Sequence, residues 1–366
     1  MTTVPHDTDT PEIMVDRDVL QRNISRMAEA VAAKGLALRP HAKTHKIPEI
    51  AALQLAAGAV GLTVATIGEA EVFAEHGVED LFIAYPLWVG PRQAERLRRL
   101  AERARIAVGT DSAEAARAMG AALGDAAGTL DVLVEVDSGH HRSGVAPARA
   151  VAVARAAADA GLRVAGVFTF PGHSYAPGMP TAAAHQEQQA LAEADALLAD
   201  AGFEATRVSG GSTPSALLTE AGATTEVRPG VYVFGDAQQL ELGRCAPGDI
   251  ALTIAATVTS RHEGDGAIPR RIVLDAGTKV VGGDRPAWAT GFGRLMDFPD
   301  ARITALSEHH ATVVFPDGAD LPALGERVRV IPNHVCVAVN LVDEVAVVSG
   351  GEVVDRWRVA ARGRNS

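Results

Sequence analysis

The strongest constraint on this chain is an alternation that runs from Leu36 to Phe234. Short apolar stretches recur at Leu36 to Leu38, 59–65, 80–85, 105–108, 130–136, 164–170, 206–209 and around 227–234. Runs rich in Ala, Glu and Arg separate most of them, at 67–76, 91–104, 112–123, 147–159 and 182–201. Short apolar runs bounded by turn residues read as buried strands, and the longer amphipathic runs read as helices. Eight strands alternating with helices predict an α/β fold, a TIM-like (β/α)8 barrel, with an open doubly wound sheet as the competing arrangement. The barrel is preferred because polar, reactive residues recur just after the strands, where one rim would lie. A helix with apolar spacing over 16–31, capped by Asp16 or Asp18, precedes the first strand.

Beyond about Leu240 the helices give way to β-rich stretches at 250–260, 271–274, 311–315, 327–331, 344–348 and 352–359. Turn residues Pro316-Asp317-Gly318 and Ser349-Gly350-Gly351 punctuate them, which predicts an antiparallel β domain. The expected division is a barrel over 16–240 and a β domain over 241–366 joined by residues 1–15. With 366 residues the chain is long enough for both. Its 34 basic residues against 45 acidic ones, a net charge of −11, argue against non-specific nucleic-acid binding and attachment to anionic membranes. No apolar run reaches the ~18 residues of a membrane span, and Met1 to Thr10 is polar, unlike a secretory leader. Cys245 and Cys336 are the only cysteines, so no disulfide framework is expected and a cytoplasmic setting is.

Five stretches can carry chemistry. Arg39-Pro40-His41-Ala42-Lys43-Thr44-His45-Lys46 crowds cations at the end of the first strand. Such crowding attracts an anion and disfavours a protonated lysine, which suits a Schiff base; a solvated basic turn is the plainer alternative. Gly210-Gly211-Ser212-Thr213 follows the seventh strand and fits a phosphate at a loop of backbone N–H groups, or an ordinary turn. In Asp137 to Gly144, Arg142 can hold an anionic oxygen, while His140 and His141, being adjacent, point apart. His173 and Tyr175 after the sixth strand contact a cofactor or cap their own loop. In the β domain, His334 and Cys336 project to one face of an extended strand and can ligate one divalent ion, with soft sulfur favouring zinc. The alternative there is a packed cysteine beside a satisfied histidine.

Taken in order, Arg39 to Lys46, Gly210 to Pro214, Arg228-Pro229-Gly230-Val231-Tyr232, Leu274 to Lys279 and Pro332-Asn333-His334-Val335-Cys336 with Asn340 resemble the D-threonine aldolase and D-serine dehydratase family. These are fold-type III pyridoxal phosphate enzymes built on the alanine racemase barrel. The resemblance implies Lys43 as the lysine that carries pyridoxal 5'-phosphate, and Gly210, Gly211, Ser212 and Thr213 as its phosphate site with Tyr232 beside it. It places Arg142 near the phenolic oxygen and Tyr175 near the ring. His334 and Cys336 become ligands of a divalent metal, zinc ahead of manganese or magnesium. The implied activity is that of a lyase on D-3-hydroxy amino acids, and the implied partner is a second copy of the chain. Cys336 as second ligand, and Ala65 at the end of the second strand, resemble the dehydratase branch, which releases keto acid and ammonia. The aldolase branch, which releases glycine and an aldehyde, is the alternative; a racemase and a non-catalytic cofactor carrier are weaker ones.

Overall fold

A computed structural model describes residues 4–5, 8–265 and 267–366. Residues 1–3, 6–7 and 266 lie outside the described residues, including half of the N-terminal stretch read above as polar. Two compact units divide the chain: 25–43, 50–230 and 363–366 form one, and 1–24, 44–49 and 231–362 form the other. The sequence-based division differs at both ends. Pro229-Gly230 ends the eighth apolar stretch early, because proline cannot donate to a sheet ladder. Only Glu226–Val227 is a strand there, and Val231–Val233 is a 3-10 turn. The last residues return to the first unit, where Gly68 N–H donates to Ser366 O at 2.9 Å and Thr66 Oγ1 to Arg364 O at 2.6 Å.

The first unit contains an eight-stranded parallel sheet. In chain order its strands are Ala37–Leu38, Leu62–Val64, Asp80–Pro86, Arg105–Thr110, Asp131–Glu135, Arg163–Phe168, Arg207–Gly210 and Glu226–Val227. From the second strand onward each pairs with its sequence neighbour, and the last pairs with the first. The remaining seam, between the first strand and the second, is closed by Val60 N–H to Leu38 O (2.9 Å), Thr63 N–H to Pro40 O (2.8 Å) and a bridge between His41 and Thr63. The alternation therefore folds as the barrel and not as the open sheet.

Side chains sort by the two-residue strand period. Val134, Val136, Val167 and Val208 pack outward on helices Ala150–Asp159 and Pro180–Asp200. Phe82, Ala107, Leu133, Ala165 and Phe168 form a cluster of strand residues alone, the barrel interior. Beside it the interior is ionic. Arg39 donates to Glu226 at 2.9 Å and Asp80 at 2.6 Å, and Arg228 donates to Ser209 Oγ and Thr169 O, each at 2.5 Å. The Arg228 guanidinium also lies 5.7 and 5.6 Å from the rings of Phe82 and Phe168. Removing one partner of a buried ionic network strands the others. Arg39→Met is accordingly expected to cost about 3–5 kcal/mol of unfolding free energy. A denaturant midpoint within experimental error of wild type would contradict that.

The second unit is built on a nine-stranded sheet centred on Leu252–His262. Its pairings are antiparallel except for Glu12–Asp16 against Glu344–Ser349, which is parallel. Strands Gly293–Leu295 and Arg302–Leu306 lacked a hydrophobic period and were not expected. Helix Arg17–Ala32 begins as predicted, with Asp16 Oδ1 accepting from the N–H groups of Asp18 and Val19 at 3.1 Å.

Candidate active site

On the barrel unit, a single aromatic ring collects the candidates. Phe170 follows the sixth strand. The Lys43 ammonium lies 5.7 Å from its centroid, and the Arg142 guanidinium carbon 5.0 Å. His140 meets it edge-on at 5.7 Å, and the Tyr175 ring stands 6.3 Å away. Lys43, Arg142 and Tyr175 thus converge from three different strand ends. Gly172 makes room for this cluster, since a Cβ there would run into the His140 ring. Burial, then the nearby charges of Arg142 and His173, hold His140 below its ordinary pKa. His141 turns away as expected, with its Nδ1 2.6 Å from Asp137 Oδ2. His173 bonds Gln186 through Nε2 at 2.9 Å. Phe170 closes the sixth apolar stretch, 164–170, and nothing in that stretch singles it out, because its role exists only once three loops meet on it.

Lys43 and Lys46 part company here. Lys46 is buried and donates to Asn340 Oδ1 at 2.8 Å, in the β unit. Lys43, half-buried on the turn Ala42–Thr44, belongs to the barrel unit. His45 is fully buried and accepts the Ile47 N–H at 3.1 Å through Nδ1, which is a structural task.

The Gly210–Thr213 loop adjoins that cluster. Ser174, the residue before Tyr175, has its hydroxyl 2.8 Å from that of Ser212. Gly211 has φ of 80°, and a Cβ on it would stand 2.8 Å from Val227 Cβ, so this position needs glycine. Thr213 Oγ1 accepts the Gly230 N–H at 3.2 Å. A loop of hydroxyls and close-set backbone has the chemistry that a phosphate group requires. Two of its amides are already engaged, since the Gly211 N–H donates to the buried carboxyl of Glu187 and the Ser212 N–H to Ser215 Oγ at 2.9 Å. Tyr232 is buried on the turn Val231–Val233 of the other unit.

In the β unit, His334 and Cys336 do come together, but not as neighbours on a strand. Strand Arg327–Pro332 ends before them, and His334 is the N-cap of the short helix Val335–Val339. Val-Cys-Val-Ala-Val is apolar throughout, so its period cannot separate strand from buried helix. Asn333 ends the strand by donating to Asp284 O at 3.1 Å and Gly291 O at 2.7 Å. The His334 Nδ1–H faces Asp236 Oδ2 at 3.2 Å, and the Cys336 sulfur is 3.4 Å from Thr44 Oγ1. Burial works against a charged His334, yet the negative charge of Cys336 and the hydrogen bond to Asp236 raise its pKa well above the ordinary value. An imidazole and a sulfur that together attract positive charge, backed by a carboxylate on the second ring nitrogen, fit a divalent cation. Among the described residues no group of three or more His, Cys, Asp or Glu is placed to hold a metal. Asp236 was not foreseen, since nothing in Gly235-Asp236-Ala237 sets it apart from any helix cap. Its loss is measurable: Asp236→Asn is expected to weaken cation binding about 10–100-fold in a chelator competition, and unchanged affinity would remove it from the site.

Comparison with known proteins accords with both halves. The model for the alanine racemase N-terminal domain matches residues 15–238, and that for a putative serine dehydratase domain matches residues 251–348. The chain is 37% identical to D-threo-3-hydroxyaspartate dehydratase of Delftia sp. (strain HT23), with 90% of this chain and 91% of that one covered. D-threonine aldolase from Filomicrobium marinum superposes with a TM-score of 0.87 at 36% identity, over 99% of this chain and 98% of that one. A histidine-to-alanine variant of D-threo-3-hydroxyaspartate dehydratase and a cysteine-to-alanine variant in the metal-free form each give a TM-score of 0.88 at 33% identity. Each covers 96% of this chain, and the matches span 95% and 97% of those chains respectively. By sequence and by structure, this chain belongs to the D-threonine aldolase and D-serine dehydratase family of pyridoxal phosphate-dependent lyases on the alanine racemase barrel.

Proposed function

We propose that the chain eliminates water from a D-3-hydroxy amino acid, as a D-serine dehydratase-type lyase that yields keto acid and ammonia. The observation that carries this reading is the pairing of His334 with Cys336 backed by Asp236. In the related dehydratase the histidine and cysteine that were substituted also lie two positions apart, and the cysteine variant is in a metal-free form. A sulfur ligand favours zinc over the harder manganese and magnesium.

Pyridoxal phosphate, when bound, supplies the electron sink for breaking a bond at the substrate Cα. Lys43, Arg142, Tyr175 and the Gly210–Thr213 loop would hold it, and Lys43 would take the Cα proton. His334 and Cys336 would hold the cation, which would supply Lewis acidity to a hydroxyl oxygen. Aldol cleavage needs a base for the hydroxyl proton instead, and the likeness to D-threonine aldolase keeps that second reading open. Incubation of the zinc-loaded enzyme with D-serine, D-threonine and D-3-hydroxyaspartate, assayed separately for keto acid and for glycine, decides between them. Glycine without keto acid overturns the proposal, and turnover that survives chelation overturns the metal-assisted lyase altogether. The enzyme is proposed to work in the cytoplasm, in keeping with two cysteines that form no disulfide, and as a homodimer. Sedimentation of the holoenzyme at the mass of one chain would remove the dimer.

A further inference from the structure

Behind the Gly210–Thr213 loop lies a carboxyl group that neither the resemblance nor the chemistry above uses. Glu187 sits on helix Pro180–Asp200 with 1% of its surface exposed. Its Oε1 accepts the Gly211 N–H, and its Oε2 is 3.4 Å from Ser215 Oγ. Gly210 is equally close, since a Cβ there would collide with the Glu187 carboxyl. Ser215 Oγ in turn accepts the Ser212 N–H at 2.9 Å and stands 2.9 Å from Ser212 Oγ, which is 2.8 Å from Ser174 Oγ. Glu187, Ser215, Ser212 and Ser174 therefore form a continuous buried chain of four hydroxyl-bearing or carboxyl groups beneath the loop.

The carboxyl has no cation paired with it among the described residues. Elements packed against its helix carry His173, Arg149, Arg155, Asp159, Arg163 and Arg207. Of the charged groups, only Arg228 stabilises its ionised form, and that guanidinium donates to Ser209 and Thr169 instead. Burial pushes the Glu187 pKa up to about 7. The direction of the hydroxyls follows from the proton. An ionised carboxylate accepts from Ser215, so Ser215 accepts from Ser212 and Ser212 from Ser174, and every donor points inward. A protonated carboxyl donates to Ser215, and the chain reverses.

We propose that Glu187 takes up one proton from solvent when a phosphate monoester dianion binds the Gly210–Thr213 loop, reversing the Ser215–Ser212–Ser174 hydroxyl chain and so positioning the loop for its ligand. Two negative charges on opposite sides of one glycine loop repel strongly in a low-dielectric interior, and protonation removes one of them. The sign is defined: binding weakens as pH rises through about 7, because the proton must then be drawn from a more dilute supply.

This inference rests on the loop being the phosphate site, and the test separates the two. Pyridoxine 5'-phosphate, which cannot bond covalently to Lys43, is titrated into the cofactor-free full chain by calorimetry in buffers of different ionisation enthalpy. The comparison is wild type against Glu187→Gln, whose neutral amide imitates the protonated acid. Wild type is expected to take up about 0.5–1 proton more than the variant near pH 8, and its affinity to fall relative to the variant by up to about tenfold per pH unit above 7. Pyridoxine, which lacks the phosphate, should show no such difference. Equal proton uptake by the two proteins, with binding intact, overturns the role of Glu187. Equal affinity for pyridoxine and its phosphate overturns the loop assignment itself. A thermal melt of Glu187→Gln matching wild type confirms that the comparison is between folded proteins, and Ser215→Ala, which cuts the chain while keeping the carboxyl, should retain the proton uptake.

Discussion

Lys43→Ala is expected to lose the visible absorbance of covalently held pyridoxal phosphate and to lower lyase turnover on the order of 10⁴-fold. Both effects have one cause. Lys43 alone offers a primary amine beside Phe170, with Arg142 and Tyr175 around the same ring. The side chain is then available first to bond the cofactor and later to move the substrate's Cα proton. Lys46 is the internal control. Its ammonium is committed to Asn340 Oδ1 in the β unit, so Lys46→Ala is expected to lower the melting temperature while keeping the absorbance band. Retained absorbance in Lys43→Ala, or its loss only in Lys46→Ala, would sink the assignment.

The second large effect is expected from Cys336→Ala. Removing the sulfur leaves His334 and its Asp236 brace as a single protein ligand, so cation affinity should fall by about 100-fold or more. Elimination should disappear with it, while the cofactor absorbance survives, because no residue of the loop or of the Phe170 cluster has been touched. Elemental analysis after gel filtration and a spectrum of the same sample check both halves at once. Wild-type metal content in the variant contradicts the site. Wild-type turnover with the metal gone contradicts its catalytic part.

Much of the architecture could be read along the chain because it is written in local periods. The strand segments ending at Val64, Glu135, Phe168 and Gly210 are apolar and bounded by turn residues, and the helices between them are amphipathic, so alternation implied an α/β fold and the polar residues after the strands favoured the barrel. Where the period is silent, reading failed. Pro229-Gly230 cut short the last barrel strand, and the uniformly apolar Val335–Val339 was a helix where an extended strand was expected. His334 and Cys336 nonetheless come together, because a helix N-cap followed two positions later by a residue of the first turn can also bring two side chains together.

Residue chemistry told which groups could react: a lysine among cations, a glycine loop after a strand, a histidine and a cysteine two apart. Which of them act together was settled by the folded chain. Phe170, Glu187 and Asp236 are ordinary in sequence, separated from the groups they touch by tens to more than a hundred positions, and no local pattern records such distances. Folding then alters the chemistry of such groups: burial lifts the Glu187 carboxyl to about 7, and Cys336 and Asp236 raise His334 well above its usual value against the effect of burial. The choice between Lys43 and Lys46 has the same origin. Three residues apart in one basic motif, they are alike in charge and reactivity until folding commits one to Asn340 and leaves the other beside an aromatic ring.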